Sequence, residues 1–434
     1  MRRRRRTSRR RSSRNRPRSA KRRRPLTRSA ARIDRAFAED HANARFSSGE
    51  APSPNRATRY YLPELDALRF YAFIAVFIQH AFQRTPAQYF PALHPNWIGR
   101  SAQIIAFGGA YSVDLFFVIS AFLITQLLIR ENDATGAVRV GRFYIRRILR
   151  IWPLHFTYIA VLAIAGLISI HLRTPTNWLV LFAMLSGNVA YALWGWSPQF
   201  LTWQLWSIAI EEQFYLAWPL ILRKCTRRGL VRAALAMLAI TFLARTVCWL
   251  TSAPSSLIWT NTLTRLDPLA TGILIGVWMM EKHFRAPAIP RITLVVAGIA
   301  TILTVQAWCD HLQSPATALM LFVGYPTASL GCAMIFFGAL GTRMNPKSIR
   351  NRAATYLGKI SYGLYIWHLL ALELAIWMLN RPIPFAGDWI ESSTFVSLCG
   401  FALTIGIAMA SYHSLELPFL RLKSRFALIP SRPA

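Results

Sequence analysis

The sequence predicts an all-α protein, a polytopic membrane helix bundle of about ten transmembrane helices, and three observations carry that prediction. Of its 434 residues 54% are hydrophobic and only 16% charged, against about a quarter charged in soluble domains. Apolar runs of 17 or more residues recur along the chain, enough for a helix to cross a hydrocarbon core of about 30 Å. Clusters of Lys and Arg separate those runs, as expected where cytoplasmic loops are marked by positive charge.

Residues 1–58 stand apart from the rest. Residues 1–28 hold 16 of the 51 Lys and Arg and no acid, and a segment so charged and so poor in apolar groups is expected to be disordered. A basic run raises the question of nucleic acid, but no aromatic stacking residue, helical period or RNA-binding module accompanies it, so no nucleic-acid partner is expected. The run has no adjacent short apolar region, as a secretory signal would, and lacks the amphipathic pattern of an organellar transit peptide. It reads as a cytoplasmic topology anchor touching anionic membrane lipids or as the product of an upstream start site. Residues 59–421 form the expected membrane domain and 422–434 a cytoplasmic C-terminal tail.

The expected spans are 67–83, 104–129, 151–171, 203–222, 233–251, 263–280, 292–309, 317–340, 355–379 and 395–415. Segment 177–194 is apolar too. Counted as a span it would carry Arg223, Lys224, Arg227 and Arg228 to the opposite side from the other basic clusters. Read as a re-entrant or interfacial helix, it leaves every cluster and both termini cytoplasmic. The five cysteines show no metal-ligand or redox spacing and read as packing residues; no metal is expected.

Polar residues inside apolar spans point to function, because hydrocarbon rejects them unless they face a protein interior or a wet cavity. Arg69 and His80 lie 11 residues apart on the first span, so they project from nearly one face at a separation of roughly 16 Å. The plainer alternative has Arg69 snorkelling to cytoplasmic headgroups, with Asp66 neutralising it, and His80 at the outer interface. Asp114 begins the second span, where it either complements the helix dipole or orients His80 and raises its basicity. Arg146, Arg147 and Arg150 cluster before the third span, as positive-inside marking or as a cradle for a phosphorylated donor such as a coenzyme A nucleotide. In the fourth span Ser207, Glu211 and Tyr215 repeat at four-residue spacing and form one polar stripe, with Glu212 adjacent. Arg265 and Asp267 open the sixth span, placed to pair with each other. Ser361 and His368 share a face of the ninth, where the aromatic neighbours also suit an interfacial belt.

These stretches together resemble the integral-membrane acyltransferase-3 family of sugar O-acyltransferases. The Arg69-to-His80 spacing, GGAYSVDLFFVISAFLI, RRILRIWP, WSIAIEEQFYLAWP, TRLDPLATGILIG, ISYGLYIWH and SYHSLELPF occur in family order over roughly residues 62–421. Ser112 and Ala121 stand where glycines are usual. The resemblance implies transfer of an acyl group, typically acetyl from cytoplasmic acetyl-CoA as co-substrate, to a hydroxyl outside the membrane. His80 maps onto the essential histidine, as base or as covalent carrier. Arg69 would line the donor path, Arg146 and Arg150 hold the donor's phosphates, and Glu211 position His80 or the acceptor hydroxyl. Ser207, Glu212, Tyr215, Arg265, Asp267 and His368 are candidate substrate-binding residues.

The implied location is the bacterial inner membrane, and the acceptor an O-antigen, an exopolysaccharide, a lipid-linked sugar or a non-glycan hydroxyl such as a macrolide. Many members carry a fused extracytoplasmic hydrolase-like domain. No such segment accompanies these spans, so acceptor specificity is expected from the membrane domain and its outer loops. A transporter or flippase for an envelope glycan precursor is the competing class, since polar residues on spans also line transport paths. No internal repeat relates the two halves, which counts against it.

Overall fold

The computed structural model describes residues 60–84, 97–281, 288–309, 316–340, 349–379 and 393–427. The basic tail therefore lies outside the described residues. Every regular element among those described is helical. Eight stretches are long and apolar enough to cross a membrane: 63–83, 99–135, 140–168, 227–250, 290–308, 320–339, 361–379 and 394–424. The other two expected spans are helices of 18 residues, Leu205–Leu222, and 16 residues, Leu266–Glu281.

Helix α1 (Pro63–Arg84) has 22 residues, about 33 Å at 1.5 Å per residue. Helix α2 (Trp97–Gly108) runs through a 3₁₀ turn at Gly109–Tyr111 into α3 (Ser112–Thr135), so the second span begins earlier than expected. Helix α3 ends on Gly136, whose φ of 72° is the left-handed cap that glycine adopts freely. Helix α4 (Val140–Ile168) follows. Segment 177–194 is not one helix but two, α5 (Thr176–Ala183) and α6 (Gly187–Trp194), broken around Leu185 at φ 56°. Eight residues reach only about 12 Å, so neither piece crosses a bilayer. A side chain at Gly187 would strike the Phe182 ring, which lets the second piece fold back on the first.

Helices α7 (Leu205–Leu222), α8 (Arg227–Leu250), α9 (Ser255–Thr260), α10 (Leu266–Glu281) and α11 (Ala288–Trp308) continue the chain. A π turn at Met320–Gly324 leads into α12 (Tyr325–Ala339). The ninth expected span divides at Ile360 into α13 (Ile349–Lys359) and α14 (Ser361–Leu379). Helix α15 (Ser393–Ser411) passes through a second π turn, Tyr412–Glu416, into α16 (Leu417–Ser424).

Helices α1, α3, α4, α7 and α14 pack around one centre, with α10 lying along α3 and α13 along α1. The apolar window of the α2–α3 stretch is 78% buried, that of α8 and that of the last span only 17%; the latter pair expose Phe242, Leu243 and Leu398 as lipid-facing surface. Two close approaches fix the central helices. A side chain at Gly109 would meet the Ala75 carbonyl, and one at Gly272 the Val118 carbonyl and Ala121 Cβ. Ala121 is fully buried there, so the alanine found in place of the family's glycine is already as large as the α3–α10 contact accepts.

Candidate functional site

A string of cavities runs through the centre. One, of about 670 Å³, is lined by Arg69, Ser120, Arg147, Arg150, Ser207, Glu211, Tyr215, Ser361, Tyr362 and Tyr365, among others. A second of about 630 Å³ shares Arg69, Ser120, Arg147, Arg150 and Tyr215 and adds Tyr60, Asp66 and Lys423. A third of about 490 Å³ continues past Arg146, Arg147, Arg150 and Lys423 to Ala427. In the other direction Val113 and Tyr365 form a common wall with a fourth, of about 420 Å³, lined by Gln79, His80, Gln83 and four tryptophans. Arg69 and His80 thus serve different cavities of one string, joined by the helix that carries both.

The surroundings of His80 assign its protons. His368 Nδ1 lies 2.7 Å from the Tyr365 carbonyl and His368 Nε2 lies 3.1 Å from His80 Nδ1. A carbonyl oxygen only accepts, so His368 Nδ1 carries the hydrogen. With both rings neutral, His368 Nε2 is then the acceptor and His80 Nδ1 the donor. His80 Nε2 keeps its lone pair. Phe73 and Phe77 pack on the His368 ring at centroid distances of 5.9 and 6.5 Å, and both histidines are buried.

In the first of these cavities Glu211 accepts from Ser120 Oγ at 2.8 Å and from Tyr215 OH at 3.1 Å. All three residues of the expected stripe line this cavity, and Ser207 Oγ lies 2.7 Å from Tyr365 OH. Glu212 points elsewhere, accepting from Trp152 Nε1 at 3.3 Å, and its Oε1 is buried without a partner. Arg69 has Asp66 3.7 Å away. Arg147 lies against the Phe143 and Tyr215 rings and keeps a buried Nε without a hydrogen-bond partner.

Several expected partnerships are replaced by others. Asp114 does not orient His80: its carboxylate is bound by Arg265, both groups 1% exposed. Arg265 does not pair with Asp267, which instead accepts from Arg245 at 2.8 Å and from Ser329 at 3.0 Å. Arg245 also donates to the Thr264 carbonyl, and Tyr325 lies under both guanidiniums. Two arginines and two aspartates thus neutralise one another between α3, α8, α10 and α12, where a lone buried charge would be very costly. None of the four lines the described cavities; they act as a structural clamp. Glu211 lines the arginine-rich cavity and His80 its neighbour, so Glu211 is not placed as the imidazole's partner. Arg146 is committed to Glu131 at 2.9 Å and to the Phe426 carbonyl at 3.0 Å. That pins α3 and α4 to the C-terminal segment and leaves Arg69, Arg147, Arg150 and Lys423 as the cations facing the cavities.

Sequence reasoning passed over Gln79, Gln83, Ser120, Tyr365, Lys423 and the tryptophans as site residues. Tyr365 and Ser120 sit inside stretches already singled out, and Gln79 adjoins His80. Arg245, alone in an apolar span, carried the same signal as Arg69.

Among known proteins, the chain is similar to a peptidoglycan O-acetyltransferase, OatA, of Listeria monocytogenes, 27% identical over 390 residues, which is 84% of this chain and 57% of that protein. It is 26% identical over 406 residues to the O-acetyltransferase OatA of Staphylococcus aureus, covering 86% of this chain and 59% of the relative. A putative O-acetyltransferase of the same species is 25% identical over 381 residues, 83% of this chain and 57% of the relative. The chain thus spans little more than half the length of these curated relatives. No solved structure matches it. The family model for the acyltransferase domain matches residues 62–413, a stretch that contains Arg69, His80, Arg147, Arg150, Glu211 and His368 but not Lys423, and the chain belongs to the acyltransferase-3 family.

Proposed function

We propose that this chain is a membrane O-acyltransferase that moves an acyl group, typically acetyl, from cytoplasmic acyl-CoA to a hydroxyl of an extracytoplasmic glycan. The observation that carries the reading is the string of cavities, with arginines and a lysine toward one end and the His80 imidazole, 3.1 Å from His368, at the other. The fit to a nucleotide donor rests on Arg147, whose buried Nε lacks a partner, and on Arg150 and Lys423 beside it, since guanidinium forks match phosphate oxygens. The donor's thioester supplies an activated acyl carbonyl.

His80 Nε2 takes the proton of the acceptor hydroxyl as that oxygen bonds to the acyl carbon; the C–S bond breaks, and the proton passes to the departing coenzyme A thiolate. His368 holds the ring so that Nε2 and not Nδ1 is the base. Arg69, with Asp66 beside it, lines the passage between the two ends, and Ser120, Glu211 and Tyr215 form its hydrogen-bonded wall. On this reading the arginine end faces the cytoplasm, as the basic clusters imply, and acetyl-CoA is a co-substrate. The relatives named for peptidoglycan and for O-acetylation favour a cell-envelope glycan as acceptor.

The test supplies labelled acetyl-CoA to purified protein in lipid, with wild type, His80→Ala and Arg69→Ala, and follows label into envelope glycan. Label transfer by wild type that is lost in folded His80→Ala is expected. Transfer that persists in His80→Ala, or passage of an unmodified glycan precursor without any acyl donor, sinks the proposal.

A further inference from the structure

The cavity beside His80 differs in chemistry from its neighbours. Its described lining holds no Asp, Glu, Lys or Arg, whereas the adjoining cavities carry Arg69, Arg147, Arg150 and Lys423. Four of its ten lining residues are tryptophans: Trp196, Trp203, Trp206 and Trp259. Trp206 and Trp259 are 4% exposed and pack edge to face at 5.9 Å, so they form a floor, whereas Trp196 is 37% exposed and lies 6.4 Å from Trp203 at the rim. Besides Tyr365, whose hydroxyl is taken up by Ser207 at 2.7 Å, the lining carries the amides of Gln79 and Gln83, hydrogen-bonded to each other at 2.5 Å. That bond occupies Gln79 Nε2 and Gln83 Oε1. It leaves the other half of each amide, one acceptor and one donor.

The rim is held in place before any ligand arrives. Trp203 Nε1 donates to the Ser197 carbonyl at 3.0 Å, and Thr202 Oγ1 donates to Ser197 Oγ at 2.7 Å. Tyr158 and Tyr191 donate to the Leu201 and Thr202 carbonyls at 2.7 and 2.9 Å. The floor is held from behind by the ion cluster, with the Arg265 guanidinium 4.2 Å from the centre of the Trp259 ring.

We infer that this cavity is the acceptor subsite and that it takes an uncharged sugar ring, its C–H face on the indoles and its hydroxyls on Gln79 and Gln83. The inference rests on the acyl-transfer reading of the same site. The face of a pyranose offers a patch of polarised C–H groups that an indole face covers well, while its rim of hydroxyls needs donors and acceptors in equal measure. The free amide edges supply one of each, and His80 Nε2 receives the hydroxyl that reacts. A carboxylate or phosphate on that ring would be stripped of water with no cation in the described lining to compensate it, which is costly in a buried site. Neutral rings are thereby selected at the reaction end and anionic groups at the other.

The test titrates purified protein in lipid nanodiscs, without acyl donor, with neutral oligosaccharides (an N-acetylglucosamine tetramer and a glucose tetramer) and with a uronic-acid tetramer. Binding is followed by saturation-transfer NMR. A neutral tetramer is expected to bind, with saturation strongest on ring C–H protons. Trp203→Ala is expected to weaken binding by about tenfold, the scale of one lost aromatic contact, and Trp203→Tyr to restore most of it. Trp196→Ala, at an exposed position outside the core, serves as a second variant and is expected to weaken binding in the same direction. No binding by either neutral tetramer to folded protein, unchanged affinity in both tryptophan-to-alanine variants, or equally tight binding of the uronate overturns the inference. Donor turnover measured on the same preparations separates the failures. Sugar bound without acyl transfer keeps the subsite and removes the reaction. Transfer whose acceptor KM ignores both tryptophans keeps the reaction and removes the subsite.

Discussion

Replacing His368 isolates the step by which one histidine prepares another. In His368→Phe the aromatic packing on Phe73 and Phe77 survives, but the acceptor 3.1 Å from His80 Nδ1 is gone. The ring then loses that acceptor and the tautomer it enforces, worth about 0.5–1.5 kcal/mol with the Val76 backbone carbonyl still beside it. Converted at 1.36 kcal/mol per tenfold, the loss in kcat is about 2- to 13-fold. Because the donor's phosphates would bind at Arg147 and Arg150, KM for acetyl-CoA should hardly move. His368→Gln supplies a carbonyl oxygen near the position of Nε2 and is expected to recover most of the rate. The assay is release of free coenzyme A coupled to label transfer, on protein in lipid whose folding is checked by size-exclusion profile. Wild-type kcat in His368→Phe, or equal losses in His368→Phe and His368→Gln, would refute the proton assignment.

Asp114→Asn should act through stability and not through chemistry. It leaves Arg265 buried without its carboxylate, at about 3–5 kcal/mol, and the double variant Asp114→Leu/Arg265→Met should recover much of the loss; a thermal-unfolding series in detergent reads both, and kcat per folded molecule should stay close to wild type. Arg150→Gln removes a cation that lines three of the cavities. It should raise KM for acetyl-CoA by about 10- to 150-fold, as for one charge-assisted phosphate contact of 1.5–3 kcal/mol, with the acceptor KM unchanged. Gly109→Val forces α1 away from the 3₁₀ turn at Gly109–Tyr111 through the Ala75 carbonyl. It should cost about 1–3 kcal/mol and lower activity, measured as folded yield and turnover, whereas Gly141→Ala, with open space around it, should do neither.

Helix content, the long apolar spans and the placement of Arg69 and His80 on one helix were legible because they depend on local rules. Hydrocarbon length demands about twenty apolar residues, and the 3.6-residue period fixes which side chains share a face. The Glu211–Tyr215 contact obeys that period. The failure of segment 177–194 to span was legible from charge instead, since a span there would have carried the basic cluster at 223–228 to the opposite side. The pairing of charges was not legible. Arg265 and Asp267 are neighbours in sequence, yet each takes its partner from another helix, Asp114 at a separation of 151 residues and Arg245 at 22. His80 likewise finds His368 at a separation of 288.

The sequence by itself determined that the chain is a bundle of membrane helices, where its polar groups enter the apolar spans, and which of them share a helix face. Only the tertiary structure decided which of those groups meet, which cavity each one lines, and which nitrogen of His80 keeps its lone pair. The physical reason is that backbone hydrogen bonding sets side-chain direction within a helix. The rotation of one helix about its neighbour is set instead by close contacts such as Gly109 on Ala75 and Gly272 on Val118, which no local pattern encodes.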